Sequence, residues 1–179
     1  QSIARTPDAW QAMITCLLAL DDHAKHQAIS ALATQIGVSL PTKAPDQYGS
    51  VTWDQLRVMT EEGLEVGGHT HTHPTLPKVT PCQLQWELKH CRDRIDAELG
   101  QTPRPFCYPN GQPDDFSIAV RDAVQETGFT GAVVAFADRE THRDLFALRR
   151  HSSSNNMFQF FKAASGLEWL GRKTRPSER

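Results

Sequence analysis

The sequence predicts an α/β protein with parallel strands and helices packed outside them. Three observations lead there. From Thr52 onward, segments of helical period alternate with short runs suited to strands. The connections between successive strands are long enough to hold a helix, which parallel pairing requires. The residues with chemical potential fall directly after two of these strands, at the carboxyl end where α/β sheets build their sites.

The elements follow in order. Thr6-Pro7 opens a helix with Pro at its first position, and Trp10, Met13, Ile14, Leu17 and Leu18 form one apolar face. A second helix follows Asp22, with Ile29, Leu32, Ala33 and Ile36 inward and Gly37 at its end. Pro41, Pro45 and Gly49 mark residues 38–50 as a loop. Thr52-Trp53-Asp54-Gln55 is a capping box for a helix that closes at Gly63. Leu64 to Gly68 reads as a short strand. Thr80-Pro81-Cys82-Gln83 is a second capping box, opening the longest helix, with Leu84, Leu88, Cys91 and Ile95 inward and Gly100 as its stop. Pro105 to Tyr108 is the next strand, ended by Pro109-Asn110-Gly111. A helix over 115–127, a strand over 132–136 and a short strand over 146–150 follow. A last helix carries Met157, Phe160, Phe161, Ala164, Leu167 and Leu170. The basic end, with Arg172, Lys173, Arg175 and Arg179, reads as a solvated tail.

Composition excludes some functions. The chain has 179 residues, 39% of them hydrophobic, enough for one domain with a core. Lys and Arg total 19 against 21 Asp and Glu, a net charge of -2, which offers nucleic acid no electrostatic footing. No apolar run approaches the roughly 20 residues that span a bilayer. Cys16, Cys82, Cys91 and Cys107 form no CxxC pair and read as reduced. The first residue is Gln1, so the expectation is a processed or partial chain whose compartment the sequence does not reveal.

The run His69-Thr70-His71-Thr72-His73-Pro74, entered through Glu65-Val66-Gly67-Gly68, is the most informative stretch. On a helical turn, His69 and His73 share a face and can grip one ion. On an extended strand, all three imidazoles align instead. Either arrangement offers metal-ligand spacing, and three of the chain's eight histidines crowd into it. A bound metal points to hydrolysis.

With the Pro-Asn-Gly turn added, the chain resembles the polysaccharide deacetylases of the NodB-homology type, carbohydrate esterase family 4. Residues 64–74 look like that family's H-[S/T]-x-x-H-P motif, and Phe106-Cys-Tyr-Pro-Asn-Gly111 looks like the F-A-Y-P-Y-G form common in its bacterial members. The likeness runs from about Thr52 to about Phe161. It implies a distorted (β/α)7 barrel and hydrolytic removal of acetyl groups from an N- or O-acetylated glycan. It also implies a divalent metal, usually zinc, held by two histidines and an aspartate. His69 and His73 match the histidine ligands, and His71 falls at an unspecified position. By motif position the Asn110 N–H stabilises the oxyanion, Pro109 shapes the turn, and Tyr108 lines the sugar pocket. Arg150 is expected to orient the base, because Cys107 stands where other members place an arginine.

The family's first motif, T-F-D-D, which carries the base and the aspartate ligand, is absent. Leu20-Asp21-Asp22-His23 is a lookalike, but helical period runs straight into it, so its aspartates read as a helix end and the next helix's cap. Asp114-Asp115 after Pro113 reads as another helix start. The expectation is therefore an incomplete barrel lacking its first strand or strands, with 1–50 a helical lead-in, 51–170 the barrel portion and 171–179 the tail. Such a chain alone hydrolyses slowly, and the missing upstream segment restores activity. Leu148-Arg-Arg-His151 has one residue too many for the family's L-x-H motif, and His142 reads as exposed. A metallo-β-lactamase-like H-x-H-x-D-H site fails at Thr72, and an amidohydrolase site lacks its later ligands. The alternative of another class is a non-catalytic metal- or carbohydrate-binding protein on the same fold.

Overall fold

A computed structural model of the chain describes residues 7–136, 144–151 and 155–165. Helix α1 (Pro7–Ala19) leads into α2 (Asp22–Gln35), and the Asp21 carboxylate between them accepts the Ala24 N–H as the α2 cap. The aspartates of the lookalike motif thus serve a helix start, as their periodic setting predicts. Both helices form, yet their apolar residues stay largely uncovered: Ala33 is buried, while Trp10, Leu18, Leu32 and Ile36 are exposed. Periodicity identifies an amphipathic helix without saying what covers its face, and α1 and α2 pack chiefly on each other.

Thr52 caps α3 (Trp53–Glu61) with both halves of its box: its hydroxyl accepts from Gln55 N, and the Gln55 amide oxygen accepts from Thr52 N. Thr80 caps α4 (Pro81–Leu99) through its hydroxyl, with Pro81 at the first position and Gly100 past the end at φ 81°. Leu88, Cys91 and Ile95 are buried on the predicted face. Helix α5 (Ile118–Glu126) starts later than expected, because Asp115 first closes a separate turn of 3-10 helix, Pro113–Asp115, and Ser117 then caps the α-helix.

Among the described residues three strands make one all-parallel sheet in the order β1 (Phe106–Cys107), β2 (Ala132–Val134), β3 (Leu148–Arg149). The expected strand over 64–68 is reduced to a single parallel bridge, Gly68 to Phe106. Among the described residues β1 is its one neighbour, and Arg104 takes up the other backbone demand there. That buried guanidinium donates to the carbonyls of Val66 at 3.0 Å and Gly100 at 2.6 Å and pairs with Asp96 at 3.0 Å. Strand alternation sends Phe106 and Tyr108 into the helix layer, where they meet Leu88, Val124 and Phe129, and turns Cys107 to the opposite face. The architecture is the expected α/β arrangement, an arc of parallel sheet with helices on its outer side.

The four cysteines are free thiols. The last helix, α6 (Met157–Ala164), is present with Met157, Phe158, Phe160 and Phe161 exposed. Leu167, Leu170, the tail over 171–179 and His142 lie outside the described residues.

The chain enters β3 through Asp144. Its carboxylate accepts from Arg121 Nε at 2.7 Å and from the Phe146 N–H at 2.8 Å, fixing that segment against α5. The Arg121 side chain holds the Asp144 carboxyl below the usual carboxylate range. A lowered folded-state pKa stabilises fully above the unfolded value of about 3.9, and the gain is lost as pH falls through the folded value. Asp144→Asn is therefore expected to cost about 1 kcal/mol at neutral pH. Below pH 4 the variant and parent converge, which urea unfolding across a pH series measures.

Candidate functional site

The histidine run begins where Gly68 presses against the core. Its N–H donates to the Pro105 carbonyl at 2.9 Å and its carbonyl accepts from Cys107 N at 2.8 Å. A Cβ here would stand 2.6 Å from the Phe129 ring, so the approach of loop to core needs glycine.

Beyond Gly68 the chain is neither helix nor strand, which corrects both geometries offered by spacing. Thr70 at φ 66° and His73 at φ 60° are left-handed, and His73 N donates to the Thr70 hydroxyl at 3.1 Å. This doubling-back brings the rings of His69 and His73 to a centroid separation of 4.9 Å at 72°. Two imidazoles on one zinc at Zn–N near 2.0–2.1 Å, spread at tetrahedral angles, have ring centres about 5 Å apart. The pair fits that requirement. His69 Nδ1 lies 2.6 Å from the Cys107 carbonyl. A carbonyl only accepts, so the proton sits on Nδ1 and the lone pair is left on Nε2, the usual outer support of a metal-ligating histidine. His71 points away, edge-on to Trp86 and His90 on α4.

Glu87 shapes the loop from below, and sequence reasoning missed it. Its carboxylate is completely buried, with Oε2 accepting from His71 N at 2.8 Å and Thr72 N at 2.9 Å while Oε1 takes the Thr72 hydroxyl. The signal was available: an acidic residue sits on the inward stripe of Leu84, Leu88 and Cys91, where a charge demands partners. Cys91 lies one turn on. Burial pushes its thiol pKa up, and hydrogen bonding with the His69 and Thr70 backbone opposes that shift.

The second turn follows β1. Tyr108 is fully buried, with its hydroxyl donating to the Phe146 carbonyl at 2.9 Å and its ring against Phe106 and Phe116. Burial drives its phenol pKa upward. The expectation that Tyr108 lines the sugar pocket is corrected: strand alternation puts it on the same face as Phe106, under the helices. Pro109 is also buried, so it offers shape to the turn and no surface to a sugar. Asn110 is left-handed at φ 55° and half-buried, and its N–H meets no acceptor among the described residues. Gly111 follows at φ 72°, where a Cβ would come within 3.0 Å of Ala135 N.

Arg150, just past β3, reaches across the sheet to this turn. Nη2 donates to the Asn110 carbonyl at 2.6 Å, and Nη1 lies 2.8 Å from Cys107 Sγ. Cys107 therefore joins both halves, meeting His69 through its carbonyl and Arg150 through its sulfur. His151 is exposed. Among the described residues no third His, Cys, Asp or Glu joins the imidazole pair as a metal-binding group. Asp114 and Asp115 stand in the 3-10 turn before α5, as their setting predicts.

Comparison with known proteins bears on the family and the fold. The family model described as polysaccharide deacetylase matches residues 17–132, beginning well before Thr52, where the motif likeness starts, and ending short of Phe161. A curated relative, the uncharacterized protein YlxY of Bacillus subtilis (strain 168), is 29% identical over 68 residues, which are 38% of this chain and 20% of that one. The Streptococcus pyogenes deacetylase PplD in complex with acetate superposes with a TM-score of 0.56 at 21% identity, over 73% of this chain and 54% of that one. IcaB from Ammonifex degensii gives 0.52 at 19% identity, over 68% and 56%. These likenesses establish the fold as an incomplete barrel of the NodB type, of which the chain spans about half the length of the solved structures. With the family model covering more than half of the sequence and both of its motif turns in place, the chain belongs to the polysaccharide deacetylase family.

Proposed function

We propose that the chain serves the metal-dependent removal of acetyl groups from an acetylated glycan, with His69 and His73 as ligands of a divalent ion, zinc by preference. The observation that carries this reading is the imidazole pair at 4.9 Å with the His69 tautomer set by the Cys107 carbonyl. Family membership supplies the reaction class.

When bound, the ion supplies Lewis-acid polarisation of the acetyl carbonyl and lowers the pKa of a water. The chain's own residues do the rest. The Asn110 N–H, held in a left-handed turn without a protein acceptor among the described residues, donates to the oxygen on which negative charge develops. Arg150 acts as a positioning residue: its grip on the Asn110 carbonyl fixes the peptide plane of the turn. This replaces the expected role of orienting a base. Pro109 serves the same turn from within the core.

Among the described residues no carboxylate joins the imidazole pair; two imidazoles alone hold a dication less firmly than two with a carboxylate, and hydrolysis without a base is slow. The 179 residues alone are thus expected to bind zinc weakly and to release acetate slowly from N-acetylglucosamine oligomers. Titration with zinc, followed by calorimetry, and acetate release are measured separately. His69→Ala and His73→Ala each lower zinc affinity at least about tenfold. Unchanged affinity in both variants overturns the proposed ligand pair. Zinc binding without turnover, even in a longer form of the protein, favours a non-catalytic binding role.

Glu87 gives a second prediction. Glu87→Ala leaves the N–H groups of His71 and Thr72 without their buried acceptor and is expected to cost about 2–3 kcal/mol in urea unfolding. It also loosens the loop and lowers zinc affinity about tenfold. Glu87→Gln keeps one acceptor oxygen and falls between the two.

A further inference from the structure

We propose that the rings of His71, Trp86 and His90 form a sugar-binding platform for the glycan chain, beside the site that holds the reacting acetyl group. This deepens the deacetylase reading and rests on it. The histidine run alternates: His69 and His73 turn to each other, and His71 turns outward onto α4. There Trp86 and His90, one helical turn apart, stack nearly parallel, with ring centroids 5.0 Å apart and planes at 12°. The His71 ring stands edge-on to both, at 5.1 Å from Trp86 and 4.3 Å from His90.

The chemistry of this cluster selects its occupant. Trp86 is 48% exposed, and both histidines are exposed too. A pyranose ring has an apolar C–H face and a rim of hydroxyls. Indole and imidazole match it, with flat apolar faces and N–H groups at their edges. The charges close by are already engaged: Lys89 pairs with Asp93 at 2.7 Å, and Glu87 is turned inward beneath the loop. That leaves the ring faces and their N–H edges as what a ligand meets. The three rings hold one another, so little side-chain freedom is lost when a ligand lands.

Position ties the platform to the site. His71 is two residues from each proposed ligand, and two residues of chain reach at most about 7 Å. The platform therefore lies within the span of a short oligosaccharide whose acetylated unit sits at His69 and His73. A third imidazole in the run then extends the grip on a polymer.

The test uses the full chain with EDTA present, so that neither metal nor turnover contributes. The probes are N-acetylglucosamine and its β-1,4- and β-1,6-linked hexamers. The expected result is a shift of the Trp86 indole N–H resonance on titration with a hexamer. Trp86→Ala is expected to weaken hexamer binding about five- to tenfold, leave zinc affinity unchanged and leave the fold intact, since the side chain is on the surface. Trp86→Phe retains part of the affinity. Hexamer binding that Trp86→Ala and His90→Ala leave unaltered overturns the platform and spares the deacetylase reading. If neither hexamer perturbs residues 69–73, 86 or 110, in EDTA or in a separate EDTA-free titration with zinc, the platform and the glycan reading fall together.

Discussion

A carboxylate buried beneath the histidine loop is the constraint on which the site depends. Burying an ionised group is tolerable only when its lone pairs are filled, and Glu87 fills them with two loop N–H groups and a loop hydroxyl. The loop needs the carboxylate just as much. Residues 71 and 72 belong to no helix or strand, so their backbone donors have no regular partners. One rigid helix thereby dictates the path of an irregular segment. Thr80 and Pro81 start α4, Leu88 seats it in the core with the strand residues, and Glu87 transmits that position to the loop carrying the proposed ligands.

The two halves of the site are then coupled through β1. Phe106 and Tyr108 anchor the strand in the core, so Cys107 between them is held with its carbonyl on His69 and its sulfur on Arg150. Arg150 closes the circuit at the Asn110 carbonyl. Tyr108, fully buried, braces the sheet. Its hydroxyl on Phe146 ties β1 to the approach to β3, and so fixes the distance Arg150 must cross. Asp144 secures the same approach from the α5 side.

Much of this was legible in the sequence where local physics decides. The caps at Thr52 and Thr80 stand where residue type and spacing put them, because a cap is satisfied within four residues, and that of α2 falls one residue early, at Asp21. The parallel order of the strands followed from connection length. The strand over 64–68 was not legible in its reduced form, since pairing is decided by neighbours far along the chain. Nor was the loop geometry of His69–His73. Spacing of four suggests a helical turn. What brings the rings together is instead a pair of left-handed residues, with Glu87 supporting Thr72 from 15 positions away. The structure brings Arg150 to the Asn110 turn, and its partners there were not legible, because a hydrogen bond across a sheet leaves no periodic trace.

Backbone strain gives an independent reason to see one site here. Among the described residues, the non-glycine positions with left-handed backbone are Thr70, His73 and Asn110. Each costs on the order of 1 kcal/mol or more for an L-residue, and β-branched Thr70 is an unfavourable choice for it. His73 precedes Pro74, which restricts its backbone further. Strain of this kind persists only where surrounding contacts over-determine the conformation, and those contacts are identifiable: Glu87 and the Thr70 hydroxyl around one turn, Arg150 and Gly111 around the other. The remaining described residues, in their helices and short strands, carry no such cost. The chain concentrates its unfavourable conformations in the two turns that present His69, His73 and the Asn110 N–H. That distribution follows if those atoms must be held where relaxed backbone would not place them.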